Sequence, residues 1–232
     1  MDPAEVRRKN FLQPHEFPLV TPTGSSYDSG EYEAALDAAL EASEYEKLRI
    51  EQQRRIQSST EPYLGIGLAS YVERTAGAGR AEYGALELLP GGQLLARTGS
   101  SPYGQGHHTS WAMLISDQTG VPMNKIKVVH GDTDEVPQGA ITGGSRSVQL
   151  AGAAIWEASS GLVEQAKQVV ADLLEASTED ITLDTSSGRF HVVGTPAVDI
   201  GWTAVSDYLE GSTAGPRLLH SEELFESEGP TF

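Results

Sequence analysis

Pro102-Tyr103-Gly104-Gln105-Gly106-His107-His108-Thr109 is a glycine-rich turn that runs straight into a helical pattern, His108 to Gln118. The strand-like run Gln93 to Thr98 precedes it. Strand, glycine turn and helix in that order set a layer of sheet against a layer of helix. A second turn of the same kind, Thr142-Gly143-Gly144-Ser145-Arg146-Ser147, opens the longest helical pattern, about Ser147 to Ala176. Glycine admits positive φ and close approach to a ligand, and a helix N-terminus carries unpaired N–H groups with partial positive charge. Two such turns suit two parts of one anionic ligand.

Working outward, Tyr83 to Leu89 and Gln93 to Thr98 flank Pro90-Gly91-Gly92 as a hairpin, and Ile126 to His130 is a short β-branched strand. Ala151, Ile155, Ala158, Leu162, Ala166, Val169 and Leu173 recur every three or four residues, so one stripe of the long helix packs on a sheet. Ile181 to Leu183 and Phe190 to Val193 form a second hairpin around Ser186-Ser187-Gly188, and Trp202 to Glu210 is a last short helix. The tail beyond it, acidic and ending at Gly229-Pro230, reads as irregular. Toward the N-terminus, Asp2 to Arg8 reads as the end of a helix with proline at an early position. Phe11 to Gly30 reads as irregular, Tyr32 to Gln57 as helical and Tyr63 to Val72 as a strand, with Gly77-Ala78-Gly79 as a loop after it. The expected fold is α+β, with mixed and antiparallel sheets packed against helices rather than a βαβ alternation. Residues 1–60 are expected to form a connecting segment and helix, and 61–232 the main α+β region.

Composition narrows the function. The 232 residues carry 16 Lys+Arg against 33 Asp+Glu, a formal net charge of −17, which repels phosphate backbones and anionic lipid. No nucleic-acid partner is expected, and no apolar run approaches the roughly 20 residues that cross a bilayer. The chain has no cysteine, hence no disulfide, thiolate ligand or iron–sulfur site of its own. The charged start is followed by no signal-peptide core, and a cytoplasmic location is expected.

Gly104-x-Gly106 is not a dinucleotide fingerprint, because Thr109 holds the third glycine's place and the strand before it belongs to a hairpin. Gln105 brings an amide able both to donate to and to accept from a heterocycle. The second turn has two readings: a flexible turn with Ser147 as helix N-cap, or a nest of N–H groups, two hydroxyls and the Arg146 guanidinium around an anion. His107 and His108 point about 100° apart on a helix and do not share a metal easily. Asp132-Thr133-Asp134-Glu135 reads as a turn, and Glu73 and Glu82 as lone carboxylates. No catalytic residue and no metal ligand is expected in the chain.

With Tyr103-Gly104-Gln105-Gly106-His107 followed by Thr142-Gly143-Gly144-Ser145-Arg146-Ser147, the chain resembles the xanthine dehydrogenase/aldehyde oxidase family of molybdenum hydroxylases. It is most similar to the bacterial large subunits labelled carbon monoxide dehydrogenase or aldehyde dehydrogenase. Asp2 to Phe11, Pro22-Thr23-Gly24 with Tyr27-Asp28-Ser29-Gly30, Gly65-Ile66-Gly67 and Gly131-Asp132-Thr133 also fall in family order, so the likeness covers essentially the whole chain. The resemblance implies a molybdopterin cytosine dinucleotide carrying molybdenum. Tyr103, Gly104, Gln105 and Gly106 would face its pterin and metal end, and Gly143, Gly144, Ser145 and Ser147 would supply N–H and hydroxyl donors. It implies an iron–sulfur small subunit and an FAD-binding medium subunit as partners, and a small-molecule substrate. The family's Arg-containing active-site loop and its catalytic Glu in a Gly-x-Gly-Glu segment are not among these residues. The expectation is therefore an internal part of a larger subunit that turns over nothing alone. The alternative is a non-catalytic domain that holds an anion or a partner.

Overall fold

The computed structural model describes residues 1–58, 60–73, 75, 81–211 and 218–227. The chain divides into two compact units between Arg74 and Thr75. The Gly77-Ala78-Gly79 loop lies outside the described residues.

In the first unit, α1 (Pro3–Arg8) starts where the Asp2 carboxylate accepts from the Ala4 N–H at 2.8 Å, with proline in the first turn. The Tyr45 hydroxyl donates to the same carboxylate at 3.0 Å. The stretch expected to be irregular contains a small antiparallel pair, β1 (Leu19–Val20) and β2 (Ser26–Tyr27). The helical stretch after it is two helices, α2 (Tyr32–Ala42) and α3 (Tyr45–Gln57). They part where Glu44 takes a left-handed φ of 49°, which ends one helix and redirects the chain into the next. Ala4, Leu36 and Tyr45 form a small core with Phe11, Leu40, Ile66 and Leu68 packed on it.

The strand expected over Tyr63 to Val72 is not formed. Its alternation with glycine leaves few side chains to stabilise a ladder. Helix side chains take its carbonyls instead: Gln52 donates to the Leu64 oxygen at 2.9 Å, and Arg7 to that of Leu68.

The second unit carries a four-stranded sheet in the order Ile126–His130 (β5), Gln93–Thr98 (β4), Ala81–Leu89 (β3) and His220–Glu226 (β9). β3 (Ala81–Leu89) and β4 (Gln93–Thr98) are the expected hairpin, paired from Gly84↔Thr98 to Leu89↔Gln93. α4 (His107–Thr119) then crosses over and β5 (Ile126–His130) returns parallel to β4, one βαβ step inside an otherwise antiparallel sheet. The tail read as irregular supplies β9 (His220–Glu226), antiparallel to β3. Glu222, Glu223 and Glu226 gave that segment the look of a solvated tail, yet charged residues suit a sheet edge, where they discourage further pairing.

α5 (Gly152–Leu174) lies across this sheet, entered through a π-helical turn at Ser147–Ala151. Its apolar stripe is buried: Ile155, Ala158, Leu162, Ala166 and Val170 are fully covered. Gly84 lets it approach, since a Cβ there would lie 2.8 Å from the Ala154 carbonyl carbon and the Ile155 nitrogen. A second sheet, β6-β7-β8, contains the expected hairpin β6 (Ile181–Asp184) and β7 (Arg189–Val192). It also contains an unexpected edge strand, β8 (Thr195–Gly201), mostly exposed and carrying a proline. α6 (Trp202–Glu210) closes the unit. Phe190 meets Trp202 edge to face with ring centroids 5.0 Å apart, and the Trp202 indole N–H donates to the Thr119 carbonyl at 2.8 Å. Helices and mixed sheets are thus layered as expected. Among the described residues no helix is long and apolar enough to cross a membrane.

Candidate functional site

The βαβ step decides where the first glycine turn lies. β4 ends at Thr98 and α4 begins at His107, so residues 99–106 form the crossover at the carboxyl end of the central strand. Open sheets present ligands there. Gly104 and Gly106 have φ of 110° and 85°, values that other residues adopt only with strain. A Cβ at either would meet nothing within 4 Å, so backbone conformation rather than crowding calls for glycine. Gly106 immediately precedes α4, and no side chain caps that helix. Gln105 folds onto its own turn, its Oε1 accepting from the Tyr103 N–H at 2.6 Å, while the Tyr103 ring is exposed.

The second turn precedes the π-helical turn. Gly144 and Ser145 are consecutive left-handed residues, with φ of 59° and 52°. Tyr103, Gln105 and His107 from the first turn share with Thr142, Gly143, Ser145 and Ser147 from the second the lining of one cleft of about 480 Å³. Arg146 and Val148 complete it. Hydroxyls tie the turns together beneath. Ser100 donates to Ser147 at 2.8 Å and lies 3.1 Å from the Thr142 hydroxyl, which donates to the Ser101 carbonyl at 2.6 Å. A hollow of about 500 Å³ in the first unit, around Phe11, Tyr32, Leu36 and Leu68, is lined by no charged residue.

Two details correct the expectations for the second turn. Ser147 does not cap the helix: Arg146 occupies the preceding position, and the Ser147 oxygen accepts from Ser100. Its own proton stays available to donate. Arg146 does not offer its guanidinium fork to the cleft. Nη1 donates to Glu82 Oε2 at 2.7 Å and to the Ile141 carbonyl at 2.9 Å, and Nη2 to the Ala81 carbonyl at 2.9 Å. Glu82 is accordingly no lone carboxylate; both side chains of this ion pair are fully buried. Sequence reasoning missed this role of Glu82 because the partners are 64 residues apart.

His107, 5% exposed, packs on Trp111 with ring centroids 5.2 Å apart. Its Nδ1 and the Arg146 Nε are buried with no hydrogen-bond partner among the described residues. Buried polar atoms without partners are uncommon and call for an explanation. The two neighbouring histidines diverge as their helical spacing requires: the His108 ring lies tilted against that of His130, 4.9 Å between centroids. Among the described residues no three potential ligands cluster to hold a metal. The Asp132 turn is held internally, its carboxylate accepting from the Asp134 N–H at 3.0 Å, and Glu73 is exposed.

Burial, and then the charges of His108 and His107, hold the His130 imidazole below its ordinary 6.5. A base depressed in the folded state stabilises the fold above its unfolded pKa and loses that contribution as pH falls. Tm should therefore drop on acidification from about pH 7.5 to 5.5, and thermal unfolding of His130→Gln should show a shallower drop. An identical slope in both proteins would remove His130 from the account.

Residues 38–225 match the molybdopterin cofactor-binding domain family. The chain is 36% identical to the carbon monoxide dehydrogenase large chain of Hydrogenophaga pseudoflava over 95% of its own length and 29% of that protein's. It superposes on reconstituted CO dehydrogenase from Oligotropha carboxidovorans with a TM-score of 0.73 and 30% identity, covering 100% of this chain and 30% of that one. Quinoline 2-oxidoreductase from Pseudomonas putida 86 gives a TM-score of 0.74 at 26% identity, over 99% of this chain and 31% of that one. The chain thus spans under a third of the length of these relatives. With its glycine turns gathered around one cleft and its sequence matched over most of its length, the chain belongs to the molybdopterin cofactor-binding domain family, in the xanthine dehydrogenase and carbon monoxide dehydrogenase type of large subunit.

Proposed function

We propose that the cleft between the two turns holds part of a molybdenum cofactor, as molybdopterin cytosine dinucleotide, within the large subunit of a molybdenum hydroxylase. The observation that carries this reading is the shared cleft, whose walls combine left-handed turn backbone, the uncapped start of α4 and the unpartnered His107 Nδ1. These donors suit the acceptor-rich pterin and pyrophosphate. When bound, the cofactor supplies redox chemistry at a metal held by the pterin's own sulfurs, which suits a chain without cysteine.

The chain's residues bind and orient. Tyr103, Gly104, Gln105 and Gly106 face the pterin end. Gly143, Gly144, Ser145 and Ser147 present N–H groups and hydroxyls to the remainder, and His107 adds a buried donor. Among the described residues no carboxylate lines the cleft, and its one imidazole, His107, is buried against Trp111, so the chain alone turns over nothing. The parent reaction oxidises carbon monoxide, an aldehyde or a heterocycle with oxygen derived from water. Its electrons pass to an iron–sulfur subunit and an FAD-binding subunit.

The full-length subunit, expressed in cells that make this cofactor, should carry molybdenum and release cytidine monophosphate on acid hydrolysis, both measurable in one preparation. Metal-free full-length protein with an intact fold would refute the reading. Nucleotide binding that is indifferent to molybdenum would favour the non-catalytic anion-binding alternative. Hydroxylation by the isolated chain would refute its inactivity.

A further inference from the structure

We infer that Arg146 and Glu82 are positioning residues for the cleft, a buried ion pair that fixes the second turn's shape and its spacing from the first. The inference rests on the anion-holding reading of that cleft. Ile141 and Arg146 bracket Thr142 to Ser145, so the bond from Arg146 Nη1 to the Ile141 carbonyl, 2.9 Å, ties the two ends of the turn together. The same guanidinium fastens the turn to β3 through the Ala81 carbonyl and Glu82 Oε2. The other Glu82 oxygen accepts from the Tyr83 N–H at 3.2 Å and fills the space that a Cβ on Gly99 would need. Gly99 begins the connection that leads into the first turn, so one carboxylate touches the root of one turn and anchors the other.

Two physical arguments favour a geometric role over a merely stabilising one. A fully buried ion pair contributes little stability compared with apolar residues of the same volume, because desolvation offsets the attraction. Ser145, at φ 52°, is also held in a conformation that non-glycine residues avoid, and such strain persists only where surrounding contacts over-determine it. Arg146 is the adjacent residue and supplies those contacts.

The test measures the affinity of the full chain for cytidine 5′-diphosphate by calorimetry alongside thermal unfolding of the ligand-free protein. Arg146→Lys keeps the charge facing Glu82 but not the planar fork that reaches three acceptors. Glu82→Asp keeps the charge and withdraws the carboxylate, and serves if the lysine variant fails to fold. Either folded variant should bind cytidine 5′-diphosphate about tenfold more weakly. Phe190→Leu, remote in the second sheet, should lower Tm and leave affinity within about twofold. Wild-type affinity in a folded Arg146→Lys or Glu82→Asp variant would overturn the positioning role while leaving the cleft as the binding site. No binding by the wild-type chain would overturn the cleft reading, and this inference with it.

Discussion

Glu82→Ala is expected to lower the unfolding free energy by about 3–5 kcal/mol, the usual result of stranding one partner of a buried ion pair. The Arg146 side chain has no exposure to solvent. Without Glu82 it retains the carbonyls of Ile141 and Ala81 but no negative charge. In a domain of this size such a loss corresponds to a fall in Tm of roughly 6–20 °C, readable by differential scanning calorimetry. The double replacement Glu82→Leu with Arg146→Met should recover most of that stability, because a packed apolar pair avoids the desolvation penalty. It should not recover cytidine 5′-diphosphate binding, since nothing then closes the turn. A loss below about 1 kcal/mol for Glu82→Ala would mean that water reaches the guanidinium readily.

Gly99→Ala is the second large effect, about 3 kcal/mol or more. A methyl group there would overlap Glu82 Oε1 and the Gly139 Cα, and would lie 2.6 Å from the Gln138 carbonyl oxygen. Two of those three neighbours are backbone and cannot swing aside. Gly139→Ala drives into the same contact from the other side, its Cβ 2.7 Å from the Gly99 carbonyl oxygen. Both variants should unfold at markedly lower denaturant concentration than wild type. If Gly99→Ala matches wild-type stability, the loops can part without penalty, and the close approach is not what sets their spacing.

The elements that were readable in sequence are those whose local pattern and tertiary setting agree. β3 and β4 carry their turn between them, and α5 carries a long apolar stripe over the sheet. β5 is a β-branched run with a clear end. The misread segments are those in which context outweighs pattern. β9 is acidic and lies at an edge, and Tyr63 to Val72 alternates correctly but has no strand beside it among the described residues. Glu44 breaks a continuous helical pattern through one left-handed residue that is not glycine. At the candidate site both glycine turns were visible, because φ preference is a local property. Their convergence was not, since it depends on the α4 crossover and on an ion pair between residues distant in sequence.

The pairing of β9 with β3 also bears on how the molecule comes into being. Tyr83 donates to Glu222 across 139 residues, so the sheet contains one of the most sequence-distant contacts a domain of this length can make. Contacts of that span close late and slow the folding reaction, because the intervening chain must be gathered first. During synthesis the hairpin, the crossover and the long helix leave the ribosome well before residues 220–226. β3 then waits with one row of its N–H and C=O groups unsatisfied. Nascent chains stalled before β9 should therefore be open to strand exchange and capture by chaperones, and those extended past it should resist both.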